Sequence, residues 1–239
     1  MSSSFLLSAK LGLISLYVIM NNLINNIKMK NLFKINDHLT PYVTKESDSR
    51  MMQVDVFSEL MSQRTIFFDD EVNSETCNTA ISQLLWMKSQ SNDPISMYIS
   101  SPGGDVYSGL ALYDTMELVK NSGIEITTIA LGLAASMGSI LLSGGSKGKR
   151  FALPHTRVLI HQVLSGTGPG SHQASDIEIL SKETNTLKKE LIDILSRVSG
   201  KSKDEVEKDC DRDHWLKASE CLPGVYGPYG LVDKIITTL

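Results

Sequence analysis

The sequence predicts an α/β fold, and three observations support this prediction. From Thr65 onward, short apolar runs alternate with amphipathic stretches, as in a chain that builds β-α units. Turn residues follow several of these runs, and one long stretch that begins at Ser175 carries apolar residues at helical spacing. We therefore predict one α/β domain in residues 41–239, preceded by an N-terminal extension in residues 1–40.

The first half of the domain is predicted to alternate strands and helices. Ile95, Met97 and Ile99 would lie on one side of a strand, whereas Leu112 and Met116 fall on one face of a helix. The predicted strands are Thr65–Phe68, Ile95–Ile99 and Glu125–Leu131, and the predicted helices are Ser74–Met87, Asp105–Lys120 and Ala134–Ser143.

The second half contains the longest predicted helix. Two short strands, Arg150–Ala152 and Arg157–Ile160, precede it. A capping box at Ser175–Glu178 predicts where this helix begins, and Gly200 predicts where it ends. A second capping box, Ser202–Glu205, predicts a short charged helix after it.

Length and composition fit an ordinary globular protein. The 239 residues are 41% apolar and 21% charged, and the net charge of −4 gives no electrostatic reason to expect a nucleic-acid partner. The three cysteines are far apart and form no CxxC pair, which argues against a disulfide framework and a zinc site. A reducing compartment is the simpler interpretation, so we expect a cytoplasmic location and no metal.

The N-terminal extension differs in composition from the domain. Its apolar stretch, Phe5–Met20, contains Lys10 and has neither a cationic segment before it nor a small-residue cleavage site after it, so it is a poor signal peptide. The stretch is also short for a membrane span, which needs roughly 20 apolar residues, and we expect no membrane contact from the domain.

Three interpretations of the extension stay open. The first is an over-long start or a removable pro-segment, with Met29 as a plausible true beginning. The second is a targeting segment, and the third is an anchor. A transit peptide would direct the protein to an organelle stroma or matrix, but it would normally carry arginine, and the first arginine is Arg50.

Three separate segments carry residues suited to nucleophilic catalysis. Ser136 lies among small residues where a predicted strand passes into a helix, which would expose its hydroxyl. A nucleophilic serine needs a base, usually a histidine that a carboxylate orients. His161 follows an apolar strand, and Asp213 lies in a charged turn after a helix. Each residue alone would more often be structural.

A glycine-rich turn, Ser100–Gly104, ends another predicted strand. Paired glycines can turn their amides outward, because they adopt backbone angles that other residues avoid, and an oxyanion hole requires outward amides. By itself, such a turn indicates nothing more than a turn.

Together, these segments closely resemble the Clp protease family of serine peptidases. The resemblance extends from about Pro41 to the C-terminus and rests on many blocks in the same order. The blocks are Ser101–Gly104, Tyr113–Met116, Ala134–Gly138, Lys147–Phe151, Leu153-Pro154, Arg157–Gln162, Asp176–Ile179 and Tyr229–Asp233.

The resemblance implies a catalytic triad. Ser136 matches the nucleophile, His161 the general base and Asp213 the carboxylate that orients the base, while the backbone amides of Gly104 and Met137 match the oxyanion hole. The implied fold is a spiral of β-β-α units like that of the crotonases, with a protruding handle helix that begins near Ser175. The implied activity is hydrolysis of peptide bonds in unfolded polypeptides, without a cofactor.

The resemblance also implies an assembly and a partner. The family forms two stacked seven-membered rings, and Asp211 and Arg212 match residues that pair across the ring junction. A ring-shaped AAA+ ATPase unfoldase would deliver the substrates, and Tyr98 and Phe151 match apolar positions at which it docks. No phosphate-binding GxxxxGK[ST] motif occurs in this chain, so the partner would hydrolyse the ATP.

Some positions depart from the family pattern. Ser96 replaces a frequent aromatic docking residue, Val163 replaces a proline, and short insertions lie near Asn121–Gly123 and at Leu222–Pro228. A non-catalytic or regulatory ring subunit is the alternative function, but such a chain would be expected to lack a triad residue. An acyl-CoA enzyme of the crotonase type would have no need for the ordered serine, histidine and aspartate blocks.

Overall fold

The structure is a computed structural model that describes residues 41–47, 50–166, 168 and 171–238. The predicted N-terminal extension, residues 1–40, lies outside the described residues. The chain divides into two compact units, Met1–Val56 and Phe57–Leu239. In the described part of the first unit, strands β1 (Tyr42–Ser47) and β2 (Arg50–Asp55) form an antiparallel pair in which Tyr42 lies opposite Asp55.

The described helices and strands of the rest of the chain largely follow the predicted order. The α-helices are α1 (Val56–Ser62), α2 (Ser74–Gln90), α3 (Val106–Asn121), α4 (Met137–Ser143), α5 (Ala174–Ser199) and α6 (Lys203–Asp209). The strands are β3 (Thr65–Phe68), β4 (Ile95–Ser101), β5 (Ile126–Ala135), β6 (Arg150–Ala152), β7 (Arg157–Ile160), β8 (His214–Lys217) and β9 (Lys234–Ile235). No pattern in the sequence predicted α1, β1, β2, β8 or β9.

A sheet whose strands are mostly parallel forms the centre of the second unit. Within the described residues its strand order is β3-β4-β5-β6-β9; β7 also pairs with β5 in parallel, and β8 pairs with β7 in antiparallel orientation. Ile95, Met97 and Ile99 of β4 are fully buried, as predicted from their alternation. The buried face of α3 includes Leu112 and Met116, also as predicted.

Strand β5 pairs with two strands along the same edge. Its first part, Thr128–Ala130, pairs with β6, and its last part, Leu133–Ala135, pairs with β7. Gly132 lies between the two parts in a left-handed conformation, with φ of 66°. The chain therefore stays extended as far as Ala135, and the prediction that a helix begins at Ala134 is wrong.

The two predicted capping boxes have different outcomes. The one at Ser175 is wrong, because α5 begins earlier, and the Gln173 carbonyl accepts hydrogen bonds from the amides of Asp176 and Ile177 at 3.0 and 3.2 Å. The one at Ser202 is confirmed, since Ser202 and Glu205 each accept a hydrogen bond from the other's amide.

Candidate active site

Ser136 lies in a strained turn between β5 and α4. Its φ of 54° and ψ of −124° fall outside the regions that residues with side chains normally adopt, at a cost of order 1–3 kcal/mol. Main-chain hydrogen bonds hold the turn: the Ser136 amide donates to the Leu159 carbonyl at 2.9 Å, and the Ser139 amide donates to the Ser136 carbonyl at 2.9 Å. The surrounding structure thus fixes a conformation that turns the Ser136 side chain out of the strand.

Gly103 packs directly against this turn. A Cβ atom added at Gly103 would lie 2.5 Å from Ser136 Cβ and 2.6 Å from the Ala135 carbonyl oxygen. The φ of Gly103, 90°, is also one that residues with side chains rarely adopt. The turn predicted at Ser100–Gly104 therefore lies beside Ser136 and requires glycine at this position.

The pairing of β5 with β7 brings His161 next to Ser136. Ala135 lies opposite Leu159 in this pair, so Ser136, one residue later, and His161, two residues later, follow the same end of two neighbouring strands. Both residues line one cavity of about 250 Å³.

The pairing of β7 with β8 brings Asp213 to the strand end that His161 follows. Ile160 lies opposite His214, so His161, which follows Ile160, and Asp213, which precedes His214, both continue from the same end of this strand pair. Gln162 fastens the loop before β8, because its amide donates to the Cys210 carbonyl at 2.6 Å and its side chain donates to the Asp211 carbonyl at 2.8 Å. Asp213 is not among the residues that line the cavity.

Gly104 and Met137 both lie at the cavity. Gly104 forms an isolated parallel bridge with Val72, in which the Val72 amide donates to the Gly103 carbonyl at 2.8 Å and the Asp105 amide donates to the Val72 carbonyl at 2.7 Å. This bridge does not use the amide of Gly104. Met137 is the first residue of α4, so its amide has no acceptor within the helix. Both residues therefore line the same cavity as Ser136 and have amides that these main-chain bonds leave available.

Residues 44–239 match the Clp protease family. The chain belongs to this family. A Clp protease proteolytic subunit of Porphyromonas gingivalis is 46% identical over 204 residues, which are 84% of this chain and 86% of the relative. One of Bacteroides fragilis is 46% identical over 83% of this chain and 91% of the relative. A proteolytic subunit 3 of Parasynechococcus marenigrum is also 46% identical, over 83% of this chain and 96% of the relative.

Family membership confirms three of the sequence predictions. The mixed α/β fold with its parallel sheet, the proteolytic function and the hydrolase class all agree with it. These relatives are named proteolytic subunits, and the names give no support to a non-catalytic or regulatory ring subunit. Among the described residues, no helix is both long enough and apolar enough to cross a membrane.

The residues that matched the family's docking positions lie in one row across the sheet. Tyr98 lies opposite Phe67 on one side and Ile129 on the other, and Ile129 lies opposite Phe151. The rings of Phe67 and Tyr98 stack with centroids 5.0 Å apart, and Phe57 meets Phe67 edge-on at 6.1 Å. Tyr98 and Phe151 are both half-buried.

The residues that matched the ring junction lie in the loop between α6 and β8. Asp211 and Arg212 are both exposed in the single chain. Asp213 directly follows them, so the positions that matched the ring junction and the position that matched the triad carboxylate share one short segment.

The apolar wall of the cavity was not predictable from the sequence. Val106, Ile140, Leu191 and Leu195 contribute to this wall. Leu191 and Leu195 lie on the apolar face of α5, where helical spacing indicates burial but cannot distinguish a packed core from the lining of a cavity.

The three cysteines, Cys77, Cys210 and Cys221, are free and buried, and burial raises the pKa of the Cys210 thiol to about 12.

Proposed function

We propose that this chain is a serine endopeptidase subunit in which Ser136, His161 and Asp213 form the catalytic triad. The single observation that carries the proposal is the strand register from β5 through β7 to β8. This register supports the proposal because it leads three residues that are distant in sequence toward one end of the sheet. The peptidase domain would comprise residues 41–239.

The mechanism follows from these positions. His161 takes the proton of the Ser136 hydroxyl as the oxygen attacks the carbonyl carbon of a peptide bond. The amides of Gly104 and Met137 stabilise the negative charge on the carbonyl oxygen, and Asp213 orients His161 and stabilises its protonated form. His161 then protonates the leaving amine, and water releases the acyl group from Ser136 in the reverse sequence.

The cavity indicates which side chain the substrate presents. Its wall of Val106, Ile140, Leu191 and Leu195 is apolar, and its volume of about 250 Å³ leaves room for a large side chain. We expect cleavage after apolar residues, which become accessible in unfolded polypeptides. Unfolded proteins are therefore the proposed substrate class.

The first experiment removes the nucleophile. Ser136→Ala should lower kcat for a short apolar fluorogenic peptide by about 10⁴-fold or more, because loss of a triad nucleophile costs at least that much. Ser143→Ala is the matched control, since Ser143 is a buried serine of the same helix whose hydroxyl bonds only to the Ile140 carbonyl within the helix. Activity that survives in Ser136→Ala at the level of the control would refute the triad.

The proposed assembly is a homo-oligomer of two stacked seven-membered rings that works with an AAA+ unfoldase. The names of the relatives describe ATP-dependent proteases, which supports such a partner. Asp211 and Arg212 would pair across the ring junction, and Tyr98 and Phe151 would receive the unfoldase. Assembly into a chamber is consistent with quality control of unfolded proteins in the cytoplasm.

Sedimentation tests this assembly. The purified chain should sediment as a tetradecamer, and Arg212→Glu should shift the population toward single rings, because it places like charges at the junction. Arg157→Glu is the control, since Arg157 is an exposed arginine on β7, outside the proposed junction. A stable monomer at micromolar concentration would contradict the proposed assembly.

A further inference from the structure

Tyr229 is buried beside the loop Cys210–Asp213 and contacts the residues at both of its ends. Its hydroxyl donates a hydrogen bond to the carboxylate of Asp209, which directly precedes the loop. Its ring lies against the ring of His214, which directly follows the loop, with centroids 5.6 Å apart. The buried Tyr229 side chain therefore contacts both the residue before the loop, Asp209, and the residue after it, His214.

Lys201 completes this cluster. Its ammonium group donates to the Asp209 carboxylate at 2.9 Å and lies 4.1 Å from the centroid of the Tyr229 ring. Burial by itself raises the pKa of Asp209, but hydrogen bonds from Tyr229 and Lys201 and the charge of Lys201 lower it overall. Asp209 is thus ionised at neutral pH and accepts both hydrogen bonds as a carboxylate.

The middle of the same loop is fastened to the segment that carries the proposed base. Gln162 follows His161 directly, and it bonds to the carbonyls of Cys210 and Asp211 at 2.6 and 2.8 Å. A shift of the loop would therefore change the position of Asp213 relative to His161.

We propose that Tyr229, together with Asp209, is a positioning residue that holds the Cys210–Asp213 loop so that Asp213 faces His161. The proposal rests on the proposed triad. Tyr229 does not line the substrate cavity, so its effect passes through Asp213.

The first test is Tyr229→Phe in the full chain, which keeps the ring and removes the hydroxyl. The kcat for an activated ester substrate should fall about 10- to 100-fold with KM unchanged, because small misplacements of a catalytic group have effects of this size. Tyr113→Phe is the matched control: Tyr113 is also a buried tyrosine, and burial and the nearby Glu117 carboxylate raise its pKa to about 12, but it lies on α3. Its kcat should stay within twofold of the unmodified protein.

The decisive measurement is a double-mutant cycle with Asp213→Ala. In the Asp213→Ala background, Tyr229→Phe should lower the rate by less than about twofold, because no carboxylate remains to be positioned. The activated ester keeps the residual rate measurable. The proposal is wrong if Tyr229→Phe lowers the rate by the same factor with and without Asp213, or if it leaves kcat of the otherwise intact protein unchanged.

The Asp213→Ala variant distinguishes a failure of this proposal from a failure of the proposed function. Asp213→Ala alone should lower kcat by about 10⁴-fold, and a loss below tenfold would refute the triad, whatever Tyr229 does. If thermal unfolding shows that Tyr229→Phe does not fold, Asp209→Asn replaces it, since this change keeps the shape of the side chain and removes its charge. Asp209→Asn should show the same loss of kcat and the same dependence on Asp213, and a loss independent of Asp213 would overturn the proposal.

Discussion

The Ser136 turn and the Cys210–Asp213 loop meet at the candidate active site, but different forces hold them. Main-chain hydrogen bonds and the missing side chain of Gly103 fix the turn. Main-chain hydrogen bonds also hold the loop, but it depends in addition on side chains, namely Gln162 and the Tyr229 cluster at its ends. The position of the nucleophile therefore depends on how closely two backbones approach, whereas the position of the carboxylate also depends on individual side chains and on charge.

Among the changes that compare these two regions, the largest expected effect comes from the backbone contact. Gly103→Ala should lower kcat/KM for a fluorogenic peptide by about 100-fold, because the new Cβ would lie 2.5 Å from Ser136 Cβ and must displace the turn. Gly148→Ala is the matched control: Gly148 has a similar φ of 84°, but no atom lies within 4 Å of the added Cβ. Equal losses in the two variants would attribute the effect to backbone strain alone and not to the contact with Ser136.

An intermediate effect is expected when a side-chain hydrogen bond is removed from the Cys210–Asp213 loop, and a similar bond in the Ser136 turn provides the comparison. Gln162→Ala should lower kcat about fivefold, because it removes the bond from its side chain to the Asp211 carbonyl. Ser139→Ala removes a similar bond, from its hydroxyl to the Ser136 carbonyl at 2.7 Å, but the same carbonyl still accepts from the Ser139 amide. Steady-state kinetics should show less than a twofold change for Ser139→Ala. A larger loss there than for Gln162→Ala would reverse the comparison.

The smallest expected effect is on stability and depends on pH. The lowered pKa of Asp209 means that its stabilisation is present above the unfolded value of about 3.9 and is lost as pH falls through the folded value. In urea unfolding, Asp209→Asn should therefore lower the free energy of unfolding by about 1–2 kcal/mol at pH 7. The difference from the unmodified protein should shrink below about pH 4.

Asp193→Asn is the control for this measurement. Asp193 pairs with Lys203 at 2.7 Å, but its side chain is 51% exposed, and exposed pairs contribute little to stability. A difference for Asp209→Asn that is constant with pH would contradict a role for the charge of Asp209 in the cluster.

Much of the fold was predictable because its elements have strong local signals. The alternation in β4 and the helical spacing in α3 predicted buried faces that the structure confirms. Strands β8 and β9 were missed, because such short strands lack a distinguishing pattern and exist only through their pairing with β7 and β6. The same reason explains β5, whose last part remains extended because β7 is available as a partner.

The candidate site was also only partly predictable from the sequence. Ser136, His161 and Asp213 could be chosen from motifs and from family resemblance, but their proximity depends on strand registers that no local pattern specifies. The contributions of Leu191 to the cavity and of Tyr229 to the loop were also invisible. Both side chains look like ordinary core residues in the sequence, and only long-range packing gives them a position at the site.

Strand β5 carries Ile129, which lies between Tyr98 and Phe151 in the row across the sheet, in its first part and leads to Ser136 at its end. The short insertions at Asn121–Gly123 and Leu222–Pro228 fall outside it, at the end of α3 and around an exposed Val225. Adding or removing one residue between Ile129 and Ser136 would invert every later side chain of the strand and change the spacing between the two surfaces. The length of this one segment therefore sets the distance from the face where a partner would dock to the point where a peptide would be cut.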